Sequence, residues 1–104
     1  MKKQDLDNMA ALDLFERACN DWKIENAFYG SNTERLRTCQ AWVYETDNFY
    51  ILRSYNTCVA AIDKESHYCA DVLRYIYGYT ATSAQHISKF IADYGDRTKV
   101  YRYR

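Results

Sequence analysis

Between Trp42 and Arg74 the chain alternates short β-branched and aromatic runs with polar breaks, and this pattern constrains the fold more than any other. Trp42-Val43-Tyr44 and Phe49-Tyr50-Ile51-Leu52 carry side chains that fill a pleated surface, and Glu45-Thr46-Asp47-Asn48 between them supplies turn residues. The pattern predicts a hairpin. Thr57 to Asp63 reads as a third strand and His67 to Arg74 as a fourth, joined through Lys64-Glu65-Ser66. Period two puts His67, Cys69, Asp71 and Leu73 on one face of that fourth strand, with Tyr68, Ala70, Val72 and Arg74 on the other.

Helical periodicities flank the sheet region. Leu6, Met9, Leu12, Phe15, Cys19 and Trp22 recur at intervals of three and four, which predicts an amphipathic helix over 5–22 packed through that stripe. Ile87, Phe90, Ile91 and Tyr94 form the apolar face of a second helix over 83–94. Thr82 with Gln85 suits a capping box at its start, and Gly95 a left-handed terminating residue at its end. In the ambiguous stretch 23–40, Ser31-Asn32-Thr33-Glu34 has the capping pattern of a short helix through Leu36 or Arg37. Val100 to Tyr103, within a basic-aromatic tail over 97–104, fits an edge strand whose charges discourage aggregation. The order predicts a single α+β domain over 1–104. It has an antiparallel sheet of about four strands (41–74), with a fifth open at the C-terminus, and both helices packed on one face.

Charge and cysteine content narrow the function classes. The net charge is zero, so no global field steers the chain onto nucleic acid or an anionic membrane. The halves differ nonetheless: residues 1–52 hold six Lys/Arg against nine Asp/Glu, and residues 53–104 hold eight against five. Cys19, Cys39, Cys58 and Cys69 are too far apart in sequence for a zinc knuckle or a redox CxxC pair. Met1-Lys2-Lys3 leads into Gln4-Asp5-Leu6-Asp7 rather than an apolar signal core, and no apolar run spans a membrane. The reading is a cytoplasmic protein with reduced thiols.

Catalytic constellations are sparse. His67 and His86 are the only imidazoles, and a metal site would need ligands from distant segments. A Cys58–His86 pair can be drawn, but activation requires a base within reach and an orienting third group. Three isolated Gly build neither a phosphate loop nor a dinucleotide fingerprint. No cofactor, metal or enzymatic activity is called for.

Two polar-aromatic clusters remain. Ser54-Tyr55-Asn56-Thr57 breaks what would otherwise be one strand from Phe49 to Asp63, either as a tight turn or as a binding loop. Tyr79-Thr80-Ala81-Thr82-Ser83 leads into the last helix, where free N–H groups suit an anion and His86 lies one turn in. Capping alone accounts for one or two of those hydroxyls. These two segments resemble a pattern in small proteins of phages and mobile elements of Gram-positive bacteria, approximately SYxTxVA followed by GYSATTxxHIxxF. The resemblance covers about 40 residues within Ser54–Phe90 and leaves the N-terminal helix outside. Thr80 stands where Ser is usual and Ser83 where Thr is usual, both keeping the hydroxyl.

The resemblance implies a mobile-element origin and, by association, an inhibitor of host defence such as an anti-CRISPR protein. Its partner would be a host protein or ribonucleoprotein in the host cytoplasm, with a homodimer left open. The expected contact surface combines Tyr44, Tyr50, Tyr55 and Asn56 with the corner of Tyr79, Thr80, Thr82, Ser83 and His86, since aromatic anchors dominate interface energy. The alternative is a small nucleic-acid- or nucleotide-binding module. It would bind phosphate at the helix start near Thr82 and stack bases on a tail of Tyr101, Arg102 and Arg104.

Overall fold

The computed structural model describes residues 2–28, 32–35, 41–55, 57–76 and 81–104, with the backbone alone for 24–28 and 32–35. The elements run α1 (Lys3–Phe28), β1 (Asn32–Arg35), β2 (Ala41–Glu45), β3 (Phe49–Ser54), β4 (Thr57–Asp63), β5 (Cys69–Asp71), α2 (Leu73–Ile76), α3 (Ala81–Tyr94) and β6 (Val100–Arg102). All six strands form one sheet in sequence order, antiparallel from β1 to β5, with β6 parallel to β5. The α+β class, the hairpin and the terminal helices are as the sequence predicts. The C-terminal strand forms too, and the sheet is therefore mixed.

The helices lie on opposite faces of the sheet, not on one. Ile87, Phe90 and Ile91 of α3 bury against Val43, Leu52, Val59, Ala60, Ile62 and Cys69. Ala11, Leu14 and Ala18 of α1 bury against Phe49, Ile51, Ala61, Ala70 and Val72. Adjacent residues therefore serve different cores: Leu52 faces α3 and Ile51 faces α1. Strands covered on both faces read as continuous apolar runs, as Val59-Ala60-Ala61-Ile62 does. Each large side chain buried this way contributes about 1.5–3 kcal/mol.

Other boundaries also depart from expectation. α1 continues through Phe28 and turns a different stripe inward: Ala11 and Ala18 are fully buried, whereas Leu6 and Met9 are more than half exposed. Small side chains let the helix approach the sheet closely, so its contact line follows the alanines rather than the bulkiest residues. Residues 32–35 pair with β2 as a strand instead of forming a short helix, because ladder bonds to Trp42–Glu45 outweigh a local cap. The fourth strand shortens to Cys69–Asp71, and the Asp71 carboxylate accepts from the Leu73 N–H (3.2 Å) as α2 begins. Its predicted faces hold, with Cys69 and Leu73 in one core and Ala70 and Val72 in the other. β4 carries a bulge: Arg53 pairs with Cys58 but Leu52 with Ala60, so Val59 and Ala60 both join the α3-side core.

α1 spans the face from β6 to β2. At its start the Gln4 amide donates to the Arg102 carbonyl (3.0 Å) and the Asn8 amide to the Arg104 carbonyl (3.1 Å), while the Arg104 N–H donates back to Asn8 (3.0 Å). Two side-chain amides thus stand in for a neighbouring strand and cover the sheet edge. Further along, the Trp22 and Tyr44 rings meet at 5.5 Å, and the Thr46 hydroxyl in the β2–β3 turn donates to Asp21 (2.6 Å). Among the described residues no helix is long and apolar enough to cross a membrane.

Candidate functional site: the corner between the β3–β4 turn and α3

β3 and β4 are joined by two residues, since Ser54 pairs with Thr57. Such short hairpin turns require left-handed backbone, and Tyr55 adopts φ 55°. Gly, Asn or Asp meet that demand cheaply; a ring-bearing residue does so at about 1–2 kcal/mol. The Tyr55 side chain is 47% exposed and its ring lies 5.8 Å from that of His86.

Beneath it sits a buried polar cluster. Ser54 Oγ lies 2.9 Å from Ser83 Oγ and 2.8 Å from His86 Nδ1. All three residues are buried, Ser54 completely. β3 contributes Ser54, and Ser83 and His86 come from the first turns of α3, one helical turn apart. Desolvation lowers the His86 pKa below its ordinary 6.5, so the ring is neutral near pH 7. Ser54 Oγ is shielded from solvent, and among the described residues no carboxylate orients His86. The pair thus lacks both the open approach and the third group that nucleophilic catalysis uses. It ties the turn to the helix.

The other sequence-derived site residues scatter. Asn56, Tyr79 and Thr80 lie outside the described residues. Thr82 is exposed but falls inside the first turn of α3, which begins at Ala81, so the Thr82–Gln85 capping box does not form at the helix boundary. Tyr44 and Tyr50 point to opposite faces: Tyr44 packs with the α1 side, while Tyr50 packs on the α3 side with Tyr94 at 4.9 Å. No single surface unites them with Tyr55. In the tail, Tyr101 stacks on Tyr68 (4.8 Å), Tyr103 meets Tyr75 (5.3 Å), and Arg102 Nε donates to Asp71 (2.9 Å). The tail is built into the sheet edge.

Burial shifts the described thiols away from the thiolate form. Cys58 packs on the α1 side, across the sheet from His86, and burial foremost raises its pKa to about 11. Burial also raises Cys19 and Cys69, and all three are free; Cys39 lies outside the described residues. Among the described residues no group of three or more His, Cys, Asp or Glu is placed to hold a metal ion.

Sequence reasoning missed three features. One is the Asp71–Arg102 ion pair beside a groove of about 290 Å³ between α3 and β6, which Arg97, Ser88 and Ile91 also line. The second is the pairing of Arg53 with aromatic rings, its guanidinium 4.5 Å from the Trp42 centroid and 5.6 Å from that of Tyr44. The third is the close packing of Gly95. The Asp71–Arg102 pair and the Gly95 packing join segments far apart in sequence, and the Arg53 stacking depends on the exact register of the β2–β3 hairpin, which local spacing does not give.

A six-stranded mixed sheet between two helices, with a strained aromatic turn seated on a buried Ser–Ser–His cluster, defines a compact α+β class. Residues 22–104 match the model of a family of unknown function, DUF8033, and the chain belongs to that family. Neither a curated protein nor a solved structure gives a significant match.

Proposed function

We propose that this chain is a non-enzymatic, phage-type binding protein that inhibits a host target by occupying its surface, most concretely as an anti-CRISPR or other anti-defence inhibitor. The observation that carries the reading is Tyr55. An exposed aromatic held at φ 55°, over a buried hydrogen-bonded cluster, is a pre-organised anchor retained at a backbone cost. Rigid aromatic anchors supply contact area with little entropy lost on binding. Thr82 and Gln85, both exposed in the first turns of α3 that also carry His86, would provide polar rim contacts. The test is affinity capture from a Gram-positive host extract, with nuclease treatment, comparing the wild-type chain with Tyr55→Gly. A protein or ribonucleoprotein retained by the wild type and lost by the variant supports the reading; equal capture, or none, refutes it.

A nucleic-acid-binding reading draws support from Arg97 and Arg102 beside the α3–β6 groove. It requires oligonucleotide binding that weakens steeply with salt.

A further inference from the structure

β6 is an edge strand of the sheet, and only part of that edge is closed. The Cys69 N–H donates to the Lys99 carbonyl (2.8 Å) and the Tyr103 N–H to the Asp71 carbonyl (2.8 Å). In this parallel register Lys99, Tyr101 and Tyr103 therefore bond toward β5, while Val100 and Arg102 turn their backbone groups outward. Gln4 takes the Arg102 carbonyl, and Asn8 takes both backbone groups of Arg104. The Val100 N–H and carbonyl have no partner among the described residues. Beside this open stretch runs the groove of about 290 Å³ between α3 and β6. Ile87, Ile91 and Val100 give it an apolar lining, and Ser88, Arg97 and Arg102 line it with donors. Arg97 is exposed and among the described residues pairs with no carboxylate. Arg102 commits its Nε to Asp71 (2.9 Å) and keeps its terminal amino groups for a second acceptor. Two guanidinium groups against the one Asp71 carboxylate leave the groove with an excess of positive charge.

We propose that the α3–β6 groove docks an extended, acidic peptide segment of a partner protein, in which an apolar side chain is flanked by carboxylates two residues away on either side. The spacing follows from the pleat: side chains of an added strand that face α3 recur every second residue, as Val100 and Arg102 do. The segment's backbone pairs with the open Val100 groups, and its apolar side chain packs on Ile91 and Val100. Its carboxylates accept from Arg97 and Arg102, supplying the negative charge that the groove lacks. No aromatic ring lines the groove among the described residues, which favours a peptide over single-stranded nucleic acid, whose bases stack on rings. A second copy fits poorly, because its own edge would bring Arg97, Lys99, Arg102 and Arg104 against the same residues here. The groove stands apart from the Tyr55 corner, so failure of this proposal leaves that reading untouched.

Amide NMR titration of the intact chain with the capped peptide Ser-Glu-Thr-Leu-Thr-Glu-Ser tests the proposal. This probe reads the same in either chain direction and is expected to bind with a dissociation constant below about 300 μM. Replacing both of its glutamates by glutamine should weaken it at least about tenfold. The rearranged peptide Ser-Thr-Glu-Leu-Glu-Thr-Ser should weaken likewise, since its acids then face away from its leucine. Arg97→Gln, at an exposed position, should weaken the acidic probe about fivefold. On saturation the Val100 amide resonance shifts and its hydrogen exchange slows, as that N–H gains an acceptor. Equal affinity for the acidic and glutamine peptides, an unmoved Val100 amide, or no binding at about 5 mM probe overturns the proposal. So does displacement of the probe by a thymidine oligonucleotide, or a dimer in sedimentation that already protects the Val100 amide, since either gives the edge a different occupant.

Discussion

Gly95 offers the sharpest check on how α3 seats against the sheet. Its N–H donates to the Ile91 carbonyl at 2.9 Å, continuing the helical pattern, and its backbone is not left-handed. The sequence expectation of a left-handed cap is thus wrong, and the glycine has a different cause. A Cβ there would sit 2.6 Å from Cys69 Sγ and 2.9 Å from Ile62 Cδ1, well inside the ~3.5 Å of ordinary contact. At an unstrained helical position Gly→Ala usually stabilises by about 0.4–1 kcal/mol. Here both neighbours are fully buried, and forcing a methyl between them costs about 1–3 kcal/mol. The net expectation for Gly95→Ala is a loss of about 1–2 kcal/mol in urea unfolding, or a melting temperature lower by roughly 5–10 °C. Cys69→Ala removes the closer atom, so the double variant should recover about 1 kcal/mol relative to additivity. If Gly95→Ala is stabilising, or the two changes add within about 0.5 kcal/mol, the packing account fails.

Ser54→Ala strands His86 Nδ1 in a buried setting and should cost about 1–3 kcal/mol by urea titration, with no gain in flexibility needed to explain it. Because the folded pKa of His86 lies below 6.5, the unfolded chain binds a proton the folded one refuses. Stability is therefore full above about pH 6.5 and falls as pH drops toward the folded value; His86→Gln should flatten the curve over that window. Asp96, its pKa lowered foremost by hydrogen bonds from Thr98, contributes its loss only below 3.8, so the two effects separate. Tyr55→Gly should raise stability by about 0.5–1 kcal/mol by removing a left-handed non-glycine residue, while losing target capture; a destabilised variant would contradict the strain argument.

What could be read from sequence was whatever rests on local period. The α3 face of Ile87, Phe90 and Ile91 and the two faces of β5 follow from spacing alone, and the structure repeats them. Layering was less accessible. Ile51-Leu52 and Val59–Ile62 carry the sign of burial on both faces, but a continuous apolar run this short is also what one buried face with a bulge would give, and β4 has such a bulge. The orientation of α1 was hidden because Ala11 and Ala18 weigh little in any hydrophobic stripe, although their smallness decides which side approaches the sheet. At the candidate site, Ser54 looks like a turn residue and Ser83 like a cap; they are 29 positions apart, and only the register of β3 against α3 makes them one cluster.

That register gives Arg53, Ser54 and Tyr55 a shared meaning. Two of these residues carry a cost that an ordinary hairpin avoids, a buried guanidinium N–H without a partner at Arg53 and left-handed backbone at Tyr55, while the Ser54 hydroxyl between them is satisfied by His86 and Ser83. Each of the two costs about 1–3 kcal/mol in a fold whose whole stability is about 5–15 kcal/mol. The ladder shift between Leu52 and Arg53 divides them, sending Arg53 toward the α1-side rings and Ser54 toward α3. Substitutions as simple as Tyr55→Gly would remove one such cost without altering the topology. His67, ahead of β5, shares the left-handed backbone with φ 65°, so what sets the β3 end apart is that an unpartnered donor and an exposed left-handed tyrosine fall within three residues. The Tyr55 corner lies at that strand end, so the hairpin tip positions the surface through which this chain is proposed to act.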